Sequence, residues 1–198
     1  MEYVRIPGPL QFVLGDSALS QPLALPVVAY GADARPIAPF VAGVSVRDTG
    51  VATLRGLTLS PRSRGITQAS ARVGDRDARM GVHVYQRVDT LASLDTLLRV
   101  RPRQRLFAVP LRLDRGELRR QHLPPGEWML TLLPEAETAP DRIQLRIEGA
   151  HCEAHLFNAP RRWGCLVDSA ATVIIYRPFG RGSAPAATGY LLVRWLFS

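Results

Sequence analysis

The chain has no lysine. All 25 of its basic residues are arginine, set against 17 acidic ones for a net charge of +8 over 198 residues. Nor does it contain a run of 18 apolar residues, which excludes a hydrophobic membrane-spanning helix. The start, Met1-Glu2-Tyr3-Val4-Arg5-Ile6-Pro7-Gly8-Pro9, has neither a basic stretch nor an apolar stretch, so it does not read as an ordinary signal peptide. No helical apolar pattern of ten or more residues stands out. There is no Gly-x-Ser-x-Gly elbow for an activated serine. Gly180-Arg181-Gly182-Ser183 is too short for a phosphate loop and no helix pattern follows it.

The basic excess admits three kinds of partner: nucleic acid, an anionic membrane surface or an acidic protein. The arginines are scattered, however. Arg101, Arg103 and Arg105 form one small group, Arg119 and Arg120 another, Arg161 and Arg162 a third. No aromatic series accompanies them, as a stacking platform for single strands requires. This argues against nucleic acid and leaves protein subunits, or peripheral contact with an anionic membrane surface.

What the chain does have is punctuation. Glycine and proline number 16 each, about 16% together against roughly 12% in ordinary usage. Between them lie short half-apolar runs that read as strands. Leu10–Leu14 is the first, stopped by Gly15-Asp16-Ser17. Leu23–Tyr30 is the second, with Pro22 and Pro26 marking an edge, and Phe40–Val46 is the third. Four more runs follow between Asp48 and Tyr85: Asp48–Leu54, Gly56–Leu59, Gly65–Ala71 and Met80–Tyr85. In the first and last of these, alternate residues share one apolar face, which predicts a sheet with one side on a core.

The order of these signals resembles the bacterial immunoglobulin-like domain of group 2, the module repeated in invasin and intimin adhesins. The residues that carry the resemblance are Gly15-Asp16, Asp33, Asp48 to Leu54, Gly56-Leu57-Thr58, Gly65-Ile66-Thr67 and Val82-His83-Val84, within about residues 10–86. The tryptophan usual in the strand before the Val-Ala-Thr turn is absent; Val44-Ser45-Val46 stands there. The resemblance implies a seven-strand sandwich used as a spacer or docking module, with no catalytic residues.

Residues 89–103 read as a linker. Val88, Leu91, Leu94, Leu97 and Leu98 are spaced for one or two helical turns, or Leu97–Val100 already opens the next strand. From residue 104 onward a second sandwich is predicted: a strand at Leu106–Leu113, a turn at Asp114–Glu117, then Leu123-Pro124-Pro125-Gly126-Glu127-Trp128 entering a strand to Leu132. That last run is similar to the Pro-Gly-x-aromatic turn of many carboxypeptidase-regulatory-like and transthyretin-like sandwiches. Ile143–Ile147, Ala170–Tyr176 and Tyr190–Phe197 are further strands. The loop from Arg177 to Gly189 is long for a hairpin and is a candidate binding loop. The predicted architecture is therefore all-β: two consecutive immunoglobulin-like β-sandwich domains, 1–88 and 104–198.

One cluster carries candidate chemistry, His151-Cys152-Glu153-Ala154-His155, with Cys165 beyond it. On a strand, His151, Glu153 and His155 share a face and Cys152 points the other way. Three readings stand. A Cys152–Cys165 disulfide closes a short loop through the turn at Asn158–Arg162 and contributes on the order of 3 kcal/mol. The thiols stay free. Or a metal binds, either at His151, Glu153 and His155 or at Cys152, His155 and Cys165, though the spacing matches no established zinc pattern. Trp128, Trp163 and Trp195 are assigned to the core or an interface rather than to a sugar platform.

The resulting expectation is a non-catalytic accessory subunit, without cofactor, that docks on a larger membrane-associated assembly such as a respiratory or photosynthetic complex. It is placed on the extracytoplasmic side, where a disulfide survives, against the missing leader pattern. Its interaction residues are taken as Arg101, Arg103, Arg105, Arg177, Phe179 and Arg181. The alternatives are a carbohydrate- or ligand-binding module using the Arg177–Gly189 loop and a tryptophan, and a small metal-dependent enzyme at His151, Glu153 and His155.

Overall fold

The computed structural model describes residues 3–5, 9–33, 35–37, 41–88, 106–135, 143–155, 161–178 and 186–197. The chain divides into two compact units, Met1–Gln86 and Arg87–Ser198. Every regular element among the described residues is a strand, and no helix there is long and apolar enough to cross a membrane.

The first unit carries β1 (Tyr3–Arg5), β2 (Leu10–Leu14), β3 (Leu23–Ala24), β4 (Val28–Tyr30), β5 (Pro36–Ile37), β6 (Val41–Val46), β7 (Ala52–Arg55), β8 (Thr58–Pro61), β9 (Gly65–Val73) and β10 (Arg76–Arg87). Strands β2, β10, β9 and β6 lie side by side in that order. The first pair, β2 with β10, is parallel and the others are antiparallel. Opposite them, β3, β8 and β7 form a short antiparallel sheet. The core between the sheets takes Phe12 from β2, Ala69 and Ala71 from β9, Ala78, Met80, Val82 and Val84 from β10, and Leu59 from β8. In β9 and β10 alternate residues are buried, as a sheet with one face on a core requires.

The predicted strand Leu23–Tyr30 is two strands. The break falls at Pro26, which has no N–H to offer a ladder. The predicted strand Asp48–Leu54 begins only at Ala52. Asp48 to Val51 is a turn, because the Asp48 carboxylate accepts the Gly50 N–H at 2.8 Å and the Asp48 carbonyl accepts the Ala52 N–H at 3.3 Å. The Asp48 N–H donates to the hydroxyl of buried Thr67 at 2.8 Å, which ties this turn to β9.

The second unit carries β11 (Leu106–Leu113), β12 (Leu118–Leu123), β13 (Gly126–Pro134), β14 (Gln144–Glu148), β15 (His151–His155), β16 (Arg161–Val167), β17 (Ala171–Tyr176) and β18 (Ala187–Phe197). Two antiparallel sheets result, one ordered β15-β16-β13-β18-β11 and one ordered β12-β17-β14. Their facing sides interleave in one core: Phe107, Val109 and Leu111 from β11, Trp128, Leu130 and Leu132 from β13, Val173 and Ile175 from β17, Leu191 and Val193 from β18. At Gly189 the backbone approach is close. A Cβ built there would lie 2.5 Å from the Leu133 carbonyl oxygen, so only glycine lets β18 reach β13 at this rung.

Strand β12 has no counterpart among the sequence expectations. Leu118-Arg119-Arg120-Gln121-His122-Leu123 is polar because only one end of it is buried. Pairing with β17 forms it, and its own side chains do not announce it. The predicted linker with its Leu91–Leu98 spacing, the arginines Arg101, Arg103 and Arg105, and most of the turn at Asn158–Arg162 lie outside the described residues.

Candidate functional site

The cluster singled out in the sequence lies on β15, which pairs with β16 and, among the described residues, with no other strand, so that it stands at the edge of its sheet. Register across four strands decides what each residue does. One rung reads Cys152, Cys165, Trp128, Trp195 and points into the core. The rungs on either side read His151, Leu166, Glu127 and Glu153, Gly164, Met129, Arg194, and point outward.

On the inward rung, Cys152 and Cys165 are joined by a disulfide, so of the three readings of the pair the structure has the disulfide one. It is an intra-sheet crosslink between directly opposed residues of β15 and β16. A metal set built on Cys152, His155 and Cys165 is therefore excluded in this oxidised chain, since both sulfurs are bonded to each other. The disulfide flanks a tryptophan pair: Trp128, fully buried, stacks on Trp195 with ring centroids 5.8 Å apart at 18°. Trp128 Nε1 donates to the Pro124 carbonyl at 3.0 Å, which fixes the Pro-Pro-Gly turn against the strand it opens. Trp163 also packs on this core. The three tryptophans thus serve packing, as their apolar bulk predicts.

On the outward rungs, Gly164 has no side chain and leaves a notch between Glu153 and Met129. The result is a shallow depression of about 670 Å³ bordered by His151, Glu153, Glu127, Met129, Leu166 and Leu196. His151 and Glu153 are exposed, as is Leu166 at 51%. The side chain of His155 lies outside the described residues. Among the described residues no three His, Cys, Asp or Glu side chains are grouped to hold a metal ion. What the face offers is two carboxylates and an imidazole around three apolar side chains, a surface suited to contact. Glu127 and Met129 belong to the strand expected after the Pro-Pro-Gly turn, and as the immediate neighbours of the core residue Trp128 both fall on the outward face.

Arg177 is corrected. Expected to be an interaction residue at the mouth of a loop, it is only 6% exposed. Its Nη1 donates to the Leu113 carbonyl at 3.2 Å, its N–H donates to the Glu117 carbonyl at 3.0 Å, and its carbonyl accepts the Gly116 N–H at 3.1 Å. It braces the β11–β12 turn from inside. Glu117 completes that brace. Its carboxylate accepts the Asp114 N–H at 2.8 Å and Arg119 Nε at 3.0 Å, and these bonds, the first above all, hold its pKa below the ordinary glutamate value. Phe179, Arg181 and most of the predicted binding loop lie outside the described residues; the loop's last residues, from Ala187, are already strand β18.

No protein-family model matches this chain. No curated protein matches it. Among solved structures it is similar to the S-layer protein rSbsC(31-844), at 9% identity and a TM-score of 0.29 over 84% of this chain. It spans 22% of that protein's length. A second similarity, at 8% identity and a TM-score of 0.29, is to domains 4 and 5 of the S-layer protein SbsC, covering 84% of this chain and 79% of that one.

Proposed function

We propose that this chain is a non-catalytic docking module: two consecutive immunoglobulin-like sandwiches, the first of the bacterial group 2 type, that attach as an accessory subunit to a larger membrane-associated protein assembly in an extracytoplasmic, oxidising compartment. The observation that carries the reading is the Cys152–Cys165 crosslink on an edge strand. An edge strand presents a row of unpaired backbone groups to any neighbouring chain. A covalent tie at its second residue, Cys152, keeps that edge in place where thiols are oxidised. The outward rungs beside it, with exposed Leu166 next to Glu127, Glu153 and His151, have the mixed apolar and charged character of a contact surface.

The reading is tested by purifying the tagged full chain from native membranes, with its thiols counted before and after reductant. It predicts elution with a larger assembly at fixed stoichiometry, and two thiols that react only after reduction. A chain recovered alone as a monomer, or with both thiols reactive from the start, overturns it.

A further inference from the structure

The outer face of the first unit brings together polar residues from three neighbouring strands. Along β10, β9 and β6 the outward residues lie in rungs. The middle rung reads Arg79, Ser70, Ser45, and the next reads Asp77, Arg72, Gly43. On the other side Gly81 pairs with Gln68, whose carbonyl accepts the Arg47 N–H at 2.9 Å.

The floor of this face is low. Ser45 and Ser70 share a hydrogen bond of 2.7 Å between their hydroxyls, and the space over Gly43 is open, whereas over Gly81 stand the His83 ring and Pro9, which bound the face on that side. Three arginines surround the serine pair, each from a different segment. Arg79 is one strand away from Ser70, about 4.8 Å by sheet spacing. Arg72 and Arg47 are each two residues along from a serine, about 6.7 Å. All three are exposed. Arg47 and Arg79 have no ion-pair partner among the described residues, and Arg72 uses only its Nε, on the Gly74 carbonyl at 3.3 Å. Asp77 is the one carboxylate on these rungs and pairs with none of them. Asp48, at the far end, is committed to the Gly50 N–H.

The floor continues past Arg47 into a depression of about 660 Å³ bordered by Arg47, Asp48, Thr49, Ile66, Gln68 and Gly81. Ile66 is 40% exposed there, beside a hydroxyl and an amide. We infer that this face binds an acidic polysaccharide. The arginines take an oxyanion substituent by guanidinium hydrogen bonds, the serine hydroxyls complete its coordination, and the depression receives the neighbouring sugar ring through Ile66, Thr49 and Gln68. A nucleic-acid strand fits less well, because of the two aromatic rings on this side of β10 Tyr85 is buried, and His83 is packed edge-on against it with ring centroids 6.4 Å apart, which leaves no open platform for successive bases. The inference is independent of the subunit reading and of the second unit.

The test is binding of the full chain to dextran sulfate, with unsulfated dextran and a DNA strand of matched charge as comparisons. The triple variant Arg47→Gln, Arg72→Gln, Arg79→Gln is set against a control of equal charge loss elsewhere, Arg55→Gln, Arg112→Gln, Arg120→Gln. The site variant loses affinity roughly tenfold, the gain expected of a few screened charge contacts, while the control stays within about twofold of wild type. A charge-neutral variant, Ser45→Ala with Ser70→Ala, weakens binding by about twofold to fivefold, the loss expected of an exposed hydrogen bond. Equal losses in the two arginine variants would mean that net charge alone attracts the polymer, and would overturn the inference. So would unchanged binding in the serine variant, absence of binding to dextran sulfate, or tighter binding to DNA.

Discussion

The two units solve the same problem with different materials. The first fills its core with small side chains: four of its eleven clustered core residues among those described are alanine, and Phe12 is its sole aromatic. The second fills its core with Trp128, Phe107 and a set of leucines and isoleucines, and adds a disulfide. Burial free energy scales with apolar area, so the second unit draws more on packing. The first leans on its long β9–β10 hairpin, joined through Gly74-Asp75, and on turns held by side chains. Asp16 shows the device: its carboxylate accepts the N–H groups of Ala18 and Leu19, and its carbonyl accepts the Ser20 hydroxyl. A sandwich can therefore be specified by turn chemistry where the core is light, and by core shape where the turns are irregular.

All three tryptophans lie in the second unit, so intrinsic fluorescence follows that unit while far-ultraviolet circular dichroism follows both. The largest effect is expected from Trp128→Ala. It empties the space against Trp195 and frees the Pro124 carbonyl, at a cost of about 4 kcal/mol. The fluorescence midpoint in denaturant falls and part of the dichroism signal keeps the wild-type midpoint. Loss of both signals together at the lower midpoint would mean that the two units share one cooperative core, and would break the comparison.

Removal of the crosslink comes next. Replacing Cys152 and Cys165 by alanine costs about 3 kcal/mol through the freed unfolded chain. Reductant should lower the wild-type fluorescence midpoint to that of the double variant and leave the variant where it is. A wild-type midpoint insensitive to full reduction would show that packing on the tryptophan pair, not the covalent tie, holds β15.

The smallest effect concerns the β11–β12 turn. Glu117 has its pKa lowered on folding, so its contribution is present above the unfolded-state pKa and is lost as pH falls through the folded one. Its side chain is 34% exposed, so solvent screening keeps the effect of Glu117→Gln below about 1 kcal/mol at pH 7. The difference from wild type disappears in acid. A difference that persisted at low pH would assign the loss to the altered side chain's packing instead of its charge.

Much of the fold was legible along the chain. Leu10–Leu14 and Leu106–Leu113 form strands with the predicted bounds, because each is a short apolar run closed by turn residues. Strand β12 and the split at Pro26 were not legible to the same degree: one strand is formed by its partner, and the other run is divided by a single missing N–H. The candidate site shows the same boundary. That His151 and Glu153 share a face follows from period two alone. That Glu127, Met129 and Gly164 join them follows from the registers of β15, β16 and β13, which no local pattern states.

An all-β chain, the positions of most turns and the pair of cysteines available for a crosslink could be read from the amino-acid sequence alone. These depend on periodicity and on single-residue backbone chemistry, which act over a few neighbours. Only the folded sheets make Arg177 an internal brace, tie an edge strand to its neighbour through the disulfide, and set Arg47, Arg72 and Arg79 on adjacent rungs around two serines. Each of these depends on which residues face each other across strands. Such pairings join positions well separated in the chain, 13 apart for Cys152 and Cys165 and 25 apart for Ser45 and Ser70, and only the registers of the folded sheets set them.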